Sequence, residues 1–344
     1  MVENRSQKAK YYLLGVVKAL AKGGIGKSKR EMFDAMYKVN RTRESPYIHS
    51  YPTAVRYEKA IAKFGDFLKN DMGIKYERDF KELSTDELYI CVDKYFEKQK
   101  ESGLSENTLE IHISALHKVL GEINPEIKEY FTPENRARWR DGVPAGDNDR
   151  YNDPDKIIEN LRKIDETSAA IAEIQRLTGA RLGDVKKLVI DEEGMKVFIP
   201  RSKGGRDRSV HFDRFEDKFE RVKECKEVLD RALEDKKFSE IREEQYYDNL
   251  RKACKQTGEP YHGAHCFRYE FAQERDKEIS RWEKEEQEAY YRRILEERGK
   301  SDKQIEEALE RVREKDVIDV AIVSEELGHS RLDISMHYLK IKGK

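Results

Sequence analysis

Residues 175–212 read QRLTGARLGDVKKLVIDEEGMKVFIPRSKGGRDRSVHF, and within them the apolar pattern changes from helical to extended. A helical stretch that ends near Thr178-Gly179 is followed by three short runs rich in β-branched and aromatic residues, at 188–190, 197–199 and 209–212. Glu193-Gly194 and Gly204-Gly205 separate these runs. Because short β-prone runs joined by glycine-containing turns form hairpins, the stretch predicts a small antiparallel sheet inside a helical chain.

Helical patterns lie on both sides of this stretch. Apolar residues recur at helical spacing from Ala54 to Leu68 and from Leu109 to Leu120, and Ser84 with Glu87 forms a capping box. A chain of 344 residues is long for a single core. We therefore expect a mainly α fold of class α+β, with a helical bundle over 46–131, a linker rich in Pro and Gly over 132–154, and a second domain over 155–344 that contains the sheet.

Charge is distributed unevenly along the chain. The net charge is −1 with 40% charged residues, which by itself argues weakly against a nucleic-acid partner. Residues 1–50, however, hold eleven Lys and Arg against four Asp and Glu, whereas residues 271–326 hold twelve against eighteen. The sequence thus predicts a basic N-terminal segment over 1–45 and an acidic helical insertion over about 274–320.

The cysteines and the apolar runs limit the compartment. Cys91, Cys225, Cys254 and Cys266 show no Cys-x-x-Cys pairing, which favours a reduced protein. No apolar run reaches the length of a membrane span, and the N-terminus lacks the pattern of a signal peptide. We expect a cytoplasmic protein that does not contact a membrane.

Six residues in four separated motifs carry the chemistry. They are Arg181 in Thr-Gly-Ala-Arg-Leu-Gly-Asp, Lys203 in Arg-Ser-Lys-Gly-Gly, His265 and Arg268 in His-Cys-Phe-Arg, His329 in Leu-Gly-His, and Tyr338 nine residues later. In this order and setting they resemble the tyrosine recombinases, the phage-integrase family of site-specific recombinases. The resemblance implies a helical core-binding domain followed by a catalytic domain with a small antiparallel sheet, which together close as a C-shaped clamp around duplex DNA.

Attack on a phosphodiester requires residues of these types. The two non-bridging oxygens gain negative charge in the transition state, and planar guanidiniums such as those of Arg181 and Arg268 can offer forked donors to them. A tyrosine hydroxyl has an ordinary pKa of about 10, so a base near it, or groups that stabilise its charge, must help it to attack.

The resemblance also assigns the individual roles. It makes Tyr338 the nucleophile, His265 the base, His329 a further hydrogen bond to the phosphate, and Lys203 the acid that protonates the departing 5′ oxygen. Asp184, one helical turn beyond Arg181, is expected to hold that arginine in place. Neither a metal nor a nucleotide cofactor is implied, because a phosphotyrosyl bond conserves the energy of the broken phosphodiester.

The same resemblance implies the partners. They are double-stranded DNA with paired inverted core sites, three further copies of this chain in a tetrameric synaptic complex that passes through a Holliday junction, and a directionality factor. Integration or excision of a mobile element in a prokaryotic cell, at the nucleoid, is the first expectation, and resolution of replicon dimers is the second. A type IB topoisomerase and a DNA-binding protein without catalysis remain alternatives. A plasmid assay would separate recombination, relaxation and neither.

One further motif has two interpretations. Lys22-Gly-Gly-Ile-Gly-Lys27-Ser28 matches a variant phosphate-binding loop, but such a loop follows a buried strand, whereas Tyr11 to Leu20 is helical in pattern. We favour a glycine-rich basic turn between two short helices. Candidate contacts to DNA phosphates are Lys22, Lys27, Lys29, Arg30, Arg206 and Arg208.

The segment between Arg268 and Leu327 is longer than in compact recombinases, and Tyr269 stands where many relatives have a second His. Gly299 predicts a helix stop and Ser301 with Gln304 a capping box, so we expect a charged helical hairpin. Its net charge of −6 is unfavourable next to phosphates, so we expect it to project away from DNA. It is then either a contact to a neighbouring protomer or a solvated spur.

Overall fold

The computed structural model describes residues 7–27, 29–40, 45–142, 152–202, 205–234, 243–329, 332 and 339. The chain divides into two compact units, Met1–Asp147 and Asn148–Lys344. The boundary between them falls inside the segment 132–154 that the sequence marks as a linker.

The named elements of the first unit are all helices, and an isolated antiparallel bridge joins Lys8 to Tyr76. Its elements are α1 Ala9–Gly24, α2 Lys29–Asn40, α3 Tyr51–Asp71, α4 Glu77–Lys81, α5 Thr85–Glu101, α6 Glu106–Ile123, a 3₁₀ helix Pro125–Tyr130 and α7 Pro133–Arg140. The capping box predicted for Ser84 and Glu87 opens α5. The predicted stripes of α3 and α6 are buried in one core, with Phe64 and Leu116 fully covered. Burial of these stripes is what holds the bundle together.

The N-terminal segment is part of this core, which the sequence analysis did not predict. Leu13, Val17 and Leu20 on α1 are buried in the same cluster as the stripe of α3. Their spacing of four and three residues places them on one face of α1. Lys10, Lys18 and Lys22 are therefore carried by a helix that belongs to the bundle, and the first unit begins well before residue 46.

The start of the predicted linker is folded as well. Thr132 caps α7 by accepting a hydrogen bond from the backbone N–H of Asn135. Trp139 on α7 stacks on Phe96 and meets Phe131 edge to face, both at 5.1 Å between ring centroids. The Pro and Gly residues near α7 therefore mark a helix start rather than an open connection, because Pro is well suited to the first helical turn.

The second unit combines helices with a three-stranded sheet. Its elements are α8 Pro154–Ile164, α9 Glu166–Thr178, α10 Leu182–Val185, β1 Val189–Asp191, β2 Lys196–Ser202, β3 Arg206–His211, α11 Glu216–Glu234, α12 Glu243–Thr257, α13 His265–Ile279, α14 Lys284–Glu297, α15 Asp302–Lys315 and α16 Ile318–Leu327. This confirms the predicted fold class, a mainly α chain with a small antiparallel sheet.

The sheet has the order β1-β2-β3 with both pairs antiparallel. Val197 and Val210 are paired and both face the core, which explains the β-prone runs in the sequence. The register shifts between Ile199 and Ser202, where Pro200 has no N–H to give to the ladder. This irregularity comes just before Ser202, a residue of the site described below.

The charged insertion is a helical hairpin, as expected, and it packs onto the second unit. Its orientation relative to DNA stays a prediction. α14 and α15 do pack against each other, with the predicted Gly299 stop and Ser301–Gln304 capping box. Their apolar faces, however, are buried in the main core of the second unit together with α16. The apolar stripes have a partner within the chain, so this part of the chain is not a solvated spur.

The glycine-rich turn after α1 matches the favoured interpretation. α1 precedes it and α2 follows it, so the element before Ile25-Gly26-Lys27 is a helix and not the strand that a nucleotide-binding loop requires. Within the described ranges, none of the helices is both long and apolar enough to cross a membrane.

Candidate active site

Arg181 lies on a tight turn that follows α9. Gly179 ends α9 in the left-handed conformation with φ 60°, and a Cβ there would approach Phe271 to 2.6 Å. Only glycine meets both conditions without strain. The Gln175 amide donates to Ala180 O at 3.2 Å, and the buried Tyr246 hydroxyl donates to Gln175 at 2.8 Å. The backbone that carries Arg181 is thus fixed by side chains of two helices.

The Arg181 side chain is held by Ser202 and Asp184. Nη1 of Arg181 donates to Ser202 Oγ at 2.8 Å, and this hydroxyl donates to Asp184 Oδ2 at 2.7 Å. The direct contact of Arg181 with Asp184 is longer, at 3.9 Å. Asp184 therefore orients the arginine mainly through the serine, and the Arg181 guanidinium stays about a quarter exposed.

Arg268 is buried on the first turn of α13. Its guanidinium donates to Gly179 O through Nη1, and to Leu327 O at 2.5 Å and His329 Nε2 at 3.1 Å through Nη2. These bonds join the turn after α9, helix α13 and the end of α16 at one point. Residues that are 89 and 59 positions from Arg268 in sequence are drawn together by one cation.

His329 follows α16 directly, after Gly328 has ended that helix in the left-handed conformation. Burial lowers the pKa of His329 to about 3, and the positive charges of Arg268, Arg181 and Arg208 contribute. The ring is therefore neutral at ordinary pH. Because a guanidinium can only donate, Nε2 accepts from Arg268, so the proton of the neutral ring is on Nδ1. His329 therefore carries a donor N–H on Nδ1 and no positive charge.

Arg208 differs from the surface residue that the sequence predicts, and its assignment as a DNA contact is corrected here. Its side chain is 1% exposed on β3. It donates to the main-chain oxygens of Thr178, Gly179 and Glu326. Burial, with repulsion from Arg268 and Arg181, lowers its pKa. Arg208 lies beneath the site, where it braces the two turns that carry Arg181 and His329.

The other predicted site residues fall into two groups. His265 is exposed at the first residue of α13, one turn before Arg268, so both lie at the same end of that helix. Lys203 and Tyr338 lie outside the described residues. The structure thus brings together Arg181, Arg268 and His329, with Asp184 beside Arg181, and it leaves the predicted acid and nucleophile as predictions.

The predicted DNA contacts other than Arg208 lie at the surface where the structure describes them. Lys22 and Lys27 are both exposed, and the ammonium of Lys27 lies 5.5 Å from the centre of the Tyr47 ring. Arg206 is exposed at the start of β3. The side chains of Lys29 and Arg30 lie outside the described residues.

Possible metal ligands do not cluster in the described ranges. His262 and His265 are three residues apart, but no group of three or more His, Cys, Asp or Glu side chains that could hold a metal ion is found there.

Comparison with known proteins gives likeness in structure alone. No family model matches the chain, and no curated protein matches it. A lambda integrase tetramer bound to a Holliday junction aligns over 95% of this chain and 81% of its own, with 14% identity and a TM-score of 0.49. A lambda integrase(75-356) dimer bound to a COC' core site aligns over 92% of this chain and 96% of its own, with 15% identity and a TM-score of 0.49. Likeness at this level does not establish function. The evidence for a function must come from the side chains of this chain.

Sequence reasoning missed the residues that support the site. Ser202 precedes Lys203 directly but carries no signal of its own, because a serine before a turn is common. Glu326 does carry a signal. It follows Ile322 by four residues and Val323 by three, so a carboxylate stands on the apolar face of α16. A charge at such a position predicts a buried partner.

Proposed function

We propose that this chain is a tyrosine recombinase, which cleaves and rejoins DNA strands through a 3′-phosphotyrosyl bond to Tyr338. The proposal rests on one observation. Arg268 donates hydrogen bonds to His329 and to Gly179 in the turn before Arg181. Arg181 in turn donates to Ser202, which donates to Asp184. Residues that stand far apart in the sequence, in the order typical of this family, are thus gathered at one place.

The arrangement suits a phosphodiester in its transition state. Arg181 is held at one edge and stays partly exposed, so it can donate to a non-bridging oxygen. The ring of His329 stays neutral at ordinary pH, so it contributes a hydrogen-bonding group and does not titrate there. With three arginines near His329, the site attracts an anion even though the whole chain carries a net charge of −1.

The balanced reaction needs no outside energy. The Tyr338 oxygen attacks the phosphorus, the bond to the 5′ oxygen breaks, and that oxygen takes a proton from Lys203. His265 accepts the phenolic proton. Rejoining by a 5′ hydroxyl of another strand reverses these steps and releases the tyrosine. The charge that builds on the phosphate oxygens is met by Arg181 and Arg268.

Binding of duplex DNA has support in the first unit. A groove of about 700 Å³ is lined by residues of α2, the segment 45–50, α3 and α6. Its charged lining includes Lys118 and Lys128 against Glu122, while Arg136 is paired with Glu110 at 2.7 Å. A positive lining suits a phosphate backbone. As finer parts of the proposal, four copies assemble on paired inverted core sites, a directionality factor assists, and the reaction serves integration or excision of a mobile element.

The decisive experiment traps the covalent intermediate. Purified protein is mixed with nicked duplexes built from the DNA that flanks the encoding gene, and a denaturing gel shows whether protein is joined to DNA. Wild type and the control Tyr11→Phe, a change at an exposed tyrosine, should form the adduct. Tyr338→Phe should bind the same duplex and form none. Adduct formation by Tyr338→Phe would refute Tyr338 as the nucleophile.

A plasmid assay then separates the classes of enzyme. Plasmids that carry two copies of the flanking site should give recombinant products with wild type, whereas a type IB topoisomerase would give relaxation alone. Replicon dimer resolution would show as a strong preference for sites on one molecule.

Phosphate contacts by the N-terminal segment can be counted from the dependence of affinity on salt. Lys22→Gln and Lys27→Gln should each reduce the slope of log affinity against log salt by about 0.9 if the side chain contacts a phosphate. Lys81→Gln is the control, because Lys81 is already paired with Glu77. Deletion of residues 1–44 would not test these contacts, since it would also remove the buried residues of α1 from the core.

A further inference from the structure

We infer that the inserted helix α14 sets the geometry of the candidate active site through a buried hydrogen bond from Tyr290 to Glu326. Tyr290, Arg275 and Glu326 are then positioning residues for DNA cleavage. The inference rests on the proposed function and deepens it, because it gives the long insertion a part in that reaction.

The three side chains form one hydrogen-bonded cluster, in which Arg275 and Glu326 are buried and Tyr290 is partly buried. Glu326 on α16 is fully buried, and Arg275 on α13 is 4% exposed. Arg275 Nε donates to Glu326 Oε2 at 2.9 Å, and Nη2 donates to Oε1 at 2.8 Å. The Tyr290 hydroxyl donates to the same Oε1 at 2.6 Å and lies 2.9 Å from Arg275 Nη2. The carboxylate thus receives donors from two helices besides its own.

A cluster of this kind does not serve stability alone. Apolar side chains of similar volume often replace a buried ion pair at no cost, whereas a paired carboxylate fixes direction and register. Bidentate arginine geometry allows little sliding between the two helices that carry it. The cluster therefore determines how α13 and α16 lie against each other.

The same two helices carry candidate catalytic residues. Arg275 follows Arg268 by seven residues, so both lie on one face of α13, two turns apart. On α16, the main-chain oxygen of Glu326 accepts from Arg208, and that of Leu327 accepts from Arg268 at 2.5 Å. His329 comes two residues later. A shift of Glu326 along α13 would therefore move His329 relative to Arg268.

Helix α14 adds the third side of this cluster. Besides Tyr290, its Glu297 lies 3.1 Å from His211 Nε2 on β3, and Arg298, just after α14, donates to Glu325 O at 2.7 Å. The insertion thus contacts the strand that carries Arg208 and the last turn of α16. The insertion therefore packs against the outer side of the segment that carries His329, and fixes the position of that segment.

The test removes one oxygen atom. Tyr290→Phe keeps the ring and the packing of α14 but deletes the donor to Glu326. We expect covalent cleavage of a nicked duplex, measured in single turnover at saturating protein, to slow about 5- to 30-fold. This corresponds to about 1–2 kcal/mol, roughly the net value of one hydrogen bond. DNA affinity should stay close to wild type, and the melting temperature should fall by only a few degrees, as expected for the loss of one hydrogen bond.

Tyr291→Phe is the matched control, because Tyr291 is the next residue of the same helix and is more deeply buried than Tyr290, while the hydrogen bond to Glu326 comes from Tyr290. It should cleave at the wild-type rate. A second background, Arg275→Met with Glu326→Leu, removes the acceptor, and there Tyr290→Phe should change the rate less than about twofold.

The outcomes separate this inference from the proposed function. If wild type forms no covalent adduct, the proposed function fails. If wild type cleaves and Tyr290→Phe, still folded, cleaves equally fast, the positioning role is wrong. It is also wrong if Tyr290→Phe and Tyr291→Phe slow cleavage in proportion to their losses in melting temperature, since that would show a structural role alone.

Discussion

The cores of the two units differ in what they bury. Among described residues of the first unit, the buried polar side chains are Ser45 and His112, inside a cluster of aliphatic and aromatic residues. The second unit buries charge beneath and beside its candidate site. These side chains are Glu173, Asp184, Arg208, Arg268, Arg275 and Glu326.

Charge in a core is costly unless it is paired and hydrogen-bonded. In the first unit, the buried histidine among the described residues is His112, which its lowered pKa keeps neutral and which is hydrogen-bonded to the buried Tyr95 hydroxyl at 2.9 Å. In the second unit, Arg208 and Arg268 are covered by main-chain oxygens at helix ends, where carbonyls lack helical partners. The first core is stabilised mainly by apolar burial. In the second core, part of the stability is lost to the burial of charge, and this burial fixes the positions of several cations.

Removal of the central cation should have the largest effect. Arg268→Ala removes a cation proposed to meet the charge on the phosphate oxygens, together with the donors to Gly179 O, Leu327 O and His329. Cleavage should fall about 10²- to 10³-fold, as for loss of a donor to a developing oxyanion. Single-turnover adduct formation on a nicked duplex measures it. A rate within tenfold of wild type would mean that this cluster is structural.

The buried histidine of the first unit gives a pH-dependent effect. Burial lowers the pKa of His112 to about 4, against about 6.5 when unfolded, so between these values the unfolded state binds more protons. Stability should fall as pH drops from 7.5 to 4.5, by about 2–3 kcal/mol from this group. Trp139 fluorescence in a Trp282→Phe background reports unfolding of the first unit. His112→Gln should lose this part of the pH dependence, and an unchanged profile would contradict it.

The turn before Arg181 tests packing at the site. Gly179→Ala places a methyl against Phe271 and Leu327, whereas Gly258→Ala, at a similar positive φ of 74°, meets open space. The two variants share the cost of the backbone conformation, so Gly179→Ala should be less stable by a further 1–3 kcal/mol, roughly the cost of overpacking. Hydrogen exchange of α9 and α16 amides measures the difference. Equal protection in both variants would show that the turn can relax.

The smallest effect is expected in the first core. Tyr95→Phe removes the hydroxyl that meets His112, which should cost about 1 kcal/mol of unfolding free energy. Cleavage at saturating protein should not change. A slower cleavage with unchanged DNA affinity would show that the two cores are coupled, and the contrast between them would be lost.

The sequence predicted well wherever a local pattern is sufficient. The sheet follows from short β-prone runs, and the caps at Ser84 and Ser301 follow from residue types at fixed spacing, because these features depend on neighbours in the chain. Charge counts were less reliable. The acidic composition of the insertion left a solvated spur as one possibility, but its apolar stripes are buried with α16 in the core. The expected projection away from DNA stays a prediction.

What the sequence by itself determined is the set of elements and the order of the candidate catalytic residues, since both are written in residue types and spacing. Only the tertiary structure decided which cations are buried. Arg181, Arg206 and Arg208 look alike in the sequence, yet the first is held by Ser202, the second is exposed and the third lies beneath the site. The physical reason is that a buried arginine needs acceptors from distant helix ends, and these meet only when the chain has folded.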